Sequence, residues 1–342
     1  MSGFSDPDFA VDAAGNVYTS GINLANVYVA KSADSGATWS GHPFATVLTD
    51  REWLAADEEN IVYLNGNHLA QGRQLWKSTD GGLTFDLANP VPLPGSGPPS
   101  KIYVDQSDGR LYFPDGSGGI AIYPDARTGD FTRVDGDIGD TPHAHGFLVD
   151  MTIDAAGNVY VVASTGKQVQ VSHSTDRGLT WDTIVIHDTA DDATPEVAEE
   201  VLWPWISAGS DGRVAVSWFQ ADRPVPDTET TNAEYRVYAA QTVTGHGWID
   251  ECEIEHAPDY EVAVATPDPF HTGTICSSGT TCQVGGTDRR LGDYHTNAIT
   301  ADGRFVIAYS DTARKPDGAI SHPGLVRQSA GADFVADDSL GG

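Results

Sequence analysis

Basic residues are scarce in this sequence. Its 342 residues include 14 Arg and 5 Lys against 37 Asp and 12 Glu, so the formal net charge is −30. A surface this acidic repels nucleic acid and anionic membranes by Coulomb repulsion, and we expect neither as a partner. It also repels a polyanionic substrate, unless a local cluster of arginines overrides the field.

Long apolar runs and cysteines are also few. No stretch approaches the ~18 apolar residues that a membrane span needs, and no basic-then-apolar leader opens the chain. We therefore expect a mature chain without membrane insertion. Cys276 and Cys282 flank a short loop of Ser, Gly and Thr, a spacing that favours a disulfide and an extracellular or cell-surface location. The alternative is that these two and Cys252 are three reduced thiols.

Glycine and a short repeat dominate what is present. The chain has 37 Gly and 19 Pro, and its β-branched and aromatic runs are short, which is typical of an all-β protein with tight turns. The pattern S-x-D-x-G-x-T-W/F occurs three times, at residues 32–39, 78–85 and 174–181. Its Asp can accept hydrogen bonds from the turn backbone, and its Gly can adopt a positive φ. We expect its aromatic ring to pack between neighbouring sheets.

Weaker copies of the pattern extend the repeat to six units. One aromatic residue ends each unit, and a hairpin-like segment precedes it, as in residues 12–18 and 154–160. The six aromatic residues are Trp39, Phe85, Phe131, Trp181, Trp248 and Phe334. The repeat predicts an all-β, six-bladed β-propeller with four-stranded antiparallel blades, forming a single domain over 1–342. We expect the blades at 1–48, 49–97, 98–143, 144–195, 196–250 and 291–342, with an insertion at 251–290.

The repeated pattern resembles the Asp-box, or BNR, repeat of sialidases and their relatives. That resemblance implies a propeller whose boxes lie away from the ligand. Retaining sialidases use an Arg triad, a Tyr nucleophile paired with Glu, and an Asp acid/base. Tyr294 is similar in place to the Tyr, and Glu200 or Glu199 to its partner. Ser5 stands where the family's first Arg would bind a substrate carboxylate, so we do not expect sialidase activity.

Polar residues precede or open the first strand of each expected blade, where a propeller brings them to one face. We assign catalysis to Tyr294, Asp293 and Glu200. Several binding candidates have a structural alternative: a rim ion pair for Arg51 and Glu52, core packing for Trp203 and Trp205, and a satisfied polar histidine for His145. The candidate substrate-binding residues are Arg51, Glu52, His145, Trp203, Trp205, His295 and Arg290.

Metal and cofactor signals are weak. His143 and His145 could bind a metal together with Asp140, but satisfied polar histidines explain them as well. Asp135, Asp137 and Asp140 could hold a structural calcium ion, although so acidic a chain produces such clusters by chance. We predict no cofactor, no catalytic metal and a monomer.

Three functions remain open from the sequence. The first is a glycoside hydrolase acting on a carbohydrate or other small ligand less anionic than sialic acid. The second is a non-catalytic propeller that binds a glycan or a protein. The third is a polysaccharide lyase with Tyr294 and His145 as acid and base and Arg51 neutralising a uronate. Fold alone cannot decide among them.

Overall fold

The computed structural model of the chain describes part of the sequence. The described residues are 5–23, 26–95, 99–115, 118–138, 149–190, 199–249, 254–277, 287–292, 295–313 and 321–335. Within them, the regular structure is β-strand apart from one 3₁₀ turn at Ala126–Thr128. The chain forms two compact units, 1–139 and 140–342, and each unit contains three blades. The prediction of an all-β, six-bladed β-propeller is confirmed, whereas the single-domain assignment stays a prediction.

The three blades of the first unit are four-stranded antiparallel meanders in which consecutive strands pair. Blade 1 contains β1 (Ser5–Val11), β2 (Val17–Asn23), β3 (Asn26–Ser32) and β4 (Ser40–Val47). Blade 2 contains β5 (Thr49–Ala56), β6 (Val62–His68), β7 (Gly72–Ser78) and β8 (Val91–Pro92). Blade 3 contains β9 (Tyr103–Asp105), β10 (Arg110–Pro114), β11 (Gly119–Tyr123) and β12 (Val134–Asp137).

The second unit is less regular. Blade 4 contains β13 (Asp150–Ile153), β14 (Val159–Ser164), β15 (Gln168–Ser174) and β16 (Asp182–Asp188). Blade 5 contains β17 (Glu199–Ala208), β18 (Val214–Pro224), β19 (Ala233–Thr242), β22 (Glu261–Val264) and β23 (His271–Gly273), and a separate ribbon pairs β20 (Trp248–Ile249) with β21 (Glu255–His256). Blade 6 contains β24 (Thr296–Ile299), β25 (Phe305–Asp311) and β26 (His322–Arg327).

Two features of the second unit differ from the sequence prediction. The segment 251–290, expected to be an insertion too irregular for a blade, supplies β22 and β23, and both pair with β19. Blade 6 has three strands rather than four within the described residues. The outer strands of blade 5 escaped prediction because the pairing joins residues far apart in sequence, and no repeat marks them.

The hydrophobic cores lie between adjacent blades. One cluster joins blades 1 and 2 and contains Tyr18, Leu54 and Trp76, and another joins blades 2 and 3. In the second unit, one cluster joins blades 4 and 5 and another joins blades 5 and 6. The middle sheet of each unit, blade 2 or blade 5, therefore buries both faces against its neighbours, which explains why its central strands are almost continuously apolar.

The three strong repeats form the same turn between the third and fourth strands of a blade. In the first copy, the Asp34 carboxylate accepts hydrogen bonds from the Thr38 amide (2.8 Å), the Thr38 hydroxyl (2.6 Å) and the Ser32 hydroxyl (2.7 Å). Asp80 and Asp176 accept the equivalent bonds. The rings pack less uniformly than predicted, because Phe334 is fully buried whereas Trp39 and Trp248 are 41% and 46% exposed.

Candidate functional site

We define the entry end of a blade as the end at which its first strand begins. In β1, β5 and β17 this end contains a β-bulge, seen as a register shift against the second strand. A residue at each bulge has a left-handed backbone: Asp6 (φ 54°), Arg51 (φ 58°) and Trp203 (φ 50°). Side chains other than glycine rarely adopt this conformation, and bulges and strained residues concentrate near functional sites.

Sequence reasoning missed these bulges, although a signal was present. Pro7 and Pro204 follow the left-handed residues of β1 and β17 directly. Proline cannot donate a ladder hydrogen bond, so within a sheet it marks an edge or a bulge. The blade 2 bulge has Glu52 at that position and carries no such signal.

Glu52 is the most unusual group in the first unit. Its side chain is fully buried, and neither carboxylate oxygen has a hydrogen-bond partner among the described residues. Burial, with smaller contributions from the nearby charges of Asp6, Asp50 and Asp8, raises the pKa of this carboxyl to about 10. Glu52 is therefore protonated at neutral pH. It lies beside exposed Asp50 and half-buried Asp6.

An ion pair and three hydrogen bonds hold the entry end of blade 2 in place. Lys101 Nζ lies 2.7 Å from Asp8 Oδ1, and Asp8 Oδ2 accepts a hydrogen bond from the Leu54 amide (2.8 Å), just past the bulge. The Trp53 indole donates to the Pro99 carbonyl (3.1 Å). The Asn65 amide donates to the Ser100 carbonyl (2.9 Å). Blades 1, 2 and 3 thus all contribute to the surroundings of Arg51 and Glu52.

The second unit repeats the link between first strands. Asp150 Oδ2, in β13, accepts a hydrogen bond from the Ile206 amide (2.8 Å), just past the bulge of β17. This contact matches that between Asp8 and Leu54. In both units, a carboxylate on one first strand stabilises the bulge of the next.

The predicted tryptophans of β17 belong to the core. Trp203 is 2% exposed and packs against Phe219 at a ring distance of 5.9 Å. Its indole nitrogen has no hydrogen-bond partner among the described residues. Trp205 is 7% exposed. Trp203 belongs to the core between blades 5 and 6 and Trp205 lies 6.5 Å from the ring of His295, so neither ring forms an open stacking wall.

His295 also lies in the core, immediately before β24. Its Nε2 is 2.8 Å from the Ser217 hydroxyl, and its ring stacks on Phe219 at 4.6 Å. Asn297 donates to the same hydroxyl (2.8 Å) and to the Trp205 carbonyl (2.7 Å). Burial lowers the pKa of His295 to about 3, so the imidazole is neutral. This network ties blade 6 to blade 5.

Glu200 lies at the entry end of blade 5 and is 7% exposed. It acts electrostatically on Tyr235, whose pKa is raised by burial and then by the Glu200 and Asp222 charges. Tyr235 is fully buried, and nothing in its sequence context distinguished it from other strand tyrosines. A phenol near Glu200 is therefore present, but it comes from β19 of the same blade.

The segment after β22 borders this end of blade 5. The Ile275 amide donates to the Thr228 carbonyl (2.7 Å), and His271 Nδ1 is 2.7 Å from the Thr312 hydroxyl. Arg290 donates from Nε to both oxygens of Asp288, each at 2.9 Å. Arg290 is thus committed to an internal ion pair, which weakens its predicted role as a substrate-binding cation.

The structure sorts the predicted site residues into two groups. Arg51 and Glu52 lie in the first unit, and the second unit holds Glu200, Trp203, Trp205, His295 and Arg290. His145, Asp293 and Tyr294 lie outside the described residues, as does Asp140 of the suggested calcium site. Among the described residues, no group of three or more His, Cys, Asp or Glu side chains is arranged to hold a metal ion.

Cys276 is 1% exposed, but Cys252 and Cys282 lie outside the described residues, so the Cys276–Cys282 disulfide stays a prediction. In the part of the chain that the structure describes, no helix has the length and apolar character needed to cross a membrane.

No protein-family model matches the chain. A xyloglucanase of Hypocrea jecorina is 36% identical over 120 residues, which cover 32% of this chain and 13% of that enzyme. Among solved structures, the GH74 xyloglucanase from Xanthomonas campestris superposes with a TM-score of 0.53 at 15% identity, covering 93% of this chain and 46% of that one. A protein of unknown function from Dyadobacter fermentans gives 0.52 at 13% identity, covering 94% and 93%. The chain thus spans a small part of the curated relative and shares the propeller fold with the two solved structures.

Proposed function

We propose that this chain binds a neutral carbohydrate at the entry ends of its blades and hydrolyses a glycosidic bond there. The observation that carries the proposal is Glu52, a buried carboxyl that keeps its proton at neutral pH beside Asp6, Asp8 and Asp50. Titratable groups whose environments push their pKa values apart are typical of acid/base sites.

The chemistry needs one protonated and one ionised carboxyl group. The Glu52 carboxyl would give its proton to the glycosidic oxygen as the bond to the anomeric carbon breaks. Asp50, which is exposed, would accept a proton from the water that attacks that carbon. Because Glu52 is fully buried, an entering saccharide must displace the side chains that cover it.

The second unit supplies further candidates. Tyr294, Asp293 and Glu200 remain our proposed catalytic residues there, with Tyr294 as nucleophile or acid/base. The Tyr294→Phe change keeps the ring and removes the phenolic oxygen, so it should preserve binding and lower turnover about 10²-fold or more.

The comparisons support a neutral polysaccharide as the ligand. The partial sequence similarity is to a xyloglucanase, and a formal charge of −30 disfavours an anionic glycan. Polysaccharides of this kind lie outside the cytoplasm, so we also propose an extracellular or cell-surface location and a soluble monomer. An oxidised Cys276–Cys282 pair, detected by mass spectrometry of unreduced peptides, would support that location.

A non-catalytic glycan-binding propeller is the second candidate. The complete burial of Glu52 favours it, since a general acid must reach the substrate oxygen. In that case Glu52 would stabilise the bulge of β5 as a neutral group and would take no part in turnover.

One experiment separates the two functions. Release of reducing sugar from xyloglucan, glucan, mannan and xylan is measured for the wild type, Glu52→Gln and Asp50→Asn. We expect each variant to lose about 10²-fold or more in kcat while its affinity for the same glycan changes little.

The matched control is Glu59→Gln, an exposed carboxylate in the turn between β5 and β6 at the other end of the same strand. It should leave kcat unchanged. Binding without product formation by the wild type would overturn the hydrolase proposal in favour of the non-catalytic candidate. Undiminished turnover in Glu52→Gln would remove Glu52 from the mechanism.

A further inference from the structure

A cavity lies in the second unit, at the opposite end of blade 5 from Glu200. It has a volume of about 770 Å³ and is lined by the β15–β16 region of blade 4 and by the β20–β21 ribbon. Glu200 and Tyr235 lie at the start of β17 and β19, whereas this cavity begins beyond Thr242, the last residue of β19. The two places therefore do not share side chains.

Trp248 forms one wall of this cavity. It pairs with His256 across the β20–β21 ribbon, and the two rings stack at 4.0 Å with an interplanar angle of 10°. The imidazole covers one face of the indole and fixes its orientation. Since Trp248 is nevertheless 46% exposed, the exposed area belongs to the other face and the ring edges. The sequence predicted this ring as a packed repeat aromatic, and blade packing does not account for it.

Hydrogen-bonding groups form the rest of the lining. Asp182 and Thr183 come from β16, the outer edge strand of blade 4, and Glu255 comes from β21. The Thr183 hydroxyl is 2.6 Å from that of Ser172, and His246 Nε2 is 2.9 Å from Asp211. Hydrogen-bond donors and acceptors, of which Thr183 and His246 are held in place by their own hydrogen bonds, thus surround an open aromatic face.

These features match the chemistry of a neutral sugar. A pyranose ring has an apolar C–H face that packs on an aromatic ring, and a rim of hydroxyls that pair with carboxylates and hydroxyls. The cavity volume lies within the roughly 300–1,000 Å³ typical of small-molecule sites, and it is concave as such sites are. The acidic lining and the charge of −30 disfavour an anionic ligand.

We infer that the cavity between Trp248, His256 and β16, here called the Trp248 cavity, is a second saccharide-binding site for a neutral oligosaccharide. It holds the ligand by stacking on Trp248 and by hydrogen bonds to Asp182, Thr183 and Glu255. It would anchor a glycan chain at a distance from the entry ends, and it needs no catalytic activity there.

The test is isothermal titration calorimetry with cellotetraose, xylotetraose and mannotetraose, using sialyllactose as an anionic probe. We expect Trp248→Ala to weaken binding of at least one neutral tetraose about ten-fold or more, because exposed tryptophans at binding sites contribute strongly. Trp248→Phe keeps a smaller ring and should lose less. Trp39→Ala removes an equally exposed tryptophan from blade 1 and should leave affinity unchanged.

The proposed hydrolysis at the entry ends and the proposed binding at the Trp248 cavity can be disproved independently of each other. To isolate this site, the Trp248 series is repeated in a Glu52→Gln background, where the dependence on Trp248 should persist. The inference is overturned if no neutral tetraose binds the wild type at millimolar concentration, if Trp248→Ala binds as the wild type does, or if Trp39→Ala loses as much affinity. Binding of sialyllactose in preference to every neutral sugar would also overturn it.

Discussion

Burial shifts the pKa values of Glu52 and His295 in opposite directions. Both groups are driven to the neutral form, so the pKa of Glu52 rises to about 10 and that of His295 falls to about 3. Below pH 6.5, the ordinary pKa of histidine, the unfolded chain binds a proton that folded His295 does not. The free energy of unfolding therefore decreases as the pH is lowered from 6.5 to about 3. Above 4.5, the unfolded chain releases a proton that folded Glu52 retains, so stability falls as pH rises towards 10.

The Glu52→Gln change should therefore stabilise the protein at neutral pH. Glutamine has nearly the same shape but does not ionise in the unfolded chain. It therefore avoids the free-energy cost of protonating Glu52 on folding, which reaches about 3 kcal/mol at pH 7. Urea denaturation at pH 4.5, 6, 7.5 and 9 should show the variant gaining stability over the wild type at each step. A constant difference across this range would contradict the buried neutral carboxyl. Exposed Glu59→Gln should show little change at any pH.

A variant that is more stable but inactive would also be informative about function. Residues kept at a cost in stability are expected at working sites, because selection for activity tolerates the penalty. If Glu52→Gln is more stable than the wild type and equally active, Glu52 has only a structural role in the β5 bulge.

Among the elements, two equivalent hairpins add further links between neighbouring blades. In blade 4, Asp154 Oδ1 accepts bonds from the amides of Ala156 and Asn158, each at 2.9 Å, and Oδ2 accepts from the Tyr160 hydroxyl (3.0 Å). Oδ2 also accepts from the Gly212 amide of blade 5 (2.9 Å). The same arrangement surrounds Asp12 in blade 1, with the Asn60 amide of blade 2 at 3.3 Å.

The Asp154→Ala change should destabilise the protein by about 3 kcal/mol or more, because several buried donors lose their acceptor together. Asp211→Ala is a suitable control, since Asp211 also accepts a bond from Asn158 but is 54% exposed at its side chain. It should cost less than about 1 kcal/mol. Urea unfolding followed by tryptophan fluorescence measures both. Similar losses in the two variants would show that the buried acceptor Asp154 contributes no more to stability than the exposed acceptor Asp211, which also joins blades 4 and 5.

For the molecule as a whole, the dominant electrostatic term is self-repulsion among 49 acidic residues against 19 basic ones. Compact states of such chains are destabilised by repulsion that added salt screens. The described ion pairs, such as Arg133–Asp135 at 2.8 Å, include several that are largely exposed and offset little of it.

Salt should therefore raise the thermal midpoint. At pH 7, raising NaCl from 0.05 to 0.5 M shortens the screening length to well below 10 Å, and we expect an upward shift of several degrees. At pH 4, where many carboxyls are protonated, the shift should shrink, because the charge that salt screens is smaller. Differential scanning calorimetry at both pH values measures the effect. A midpoint that falls with salt at pH 7 would contradict the role of self-repulsion.

The sequence alone determined the blade count and the turns. The repeat around Asp34 makes its hydrogen bonds within seven residues, so the pattern contains both partners of each bond. The hairpin at residues 12–18 is local in the same way. Such short-range chemistry can be read from spacing, and for that reason the all-β propeller was predictable.

The tertiary structure decided the site. The bond from Leu54 to Asp8 joins residues 46 apart, and the pKa of Glu52 depends on burial and on acids from two strands. The outer strands of blade 5 and the stacking of Trp248 on His256 likewise depend on pairing that no repeat marks. Long-range contacts determine which side chains are buried, and burial determines their charge state. The sequence therefore identifies residues such as Glu52 but does not reveal the shifted pKa that makes Glu52 a candidate acid.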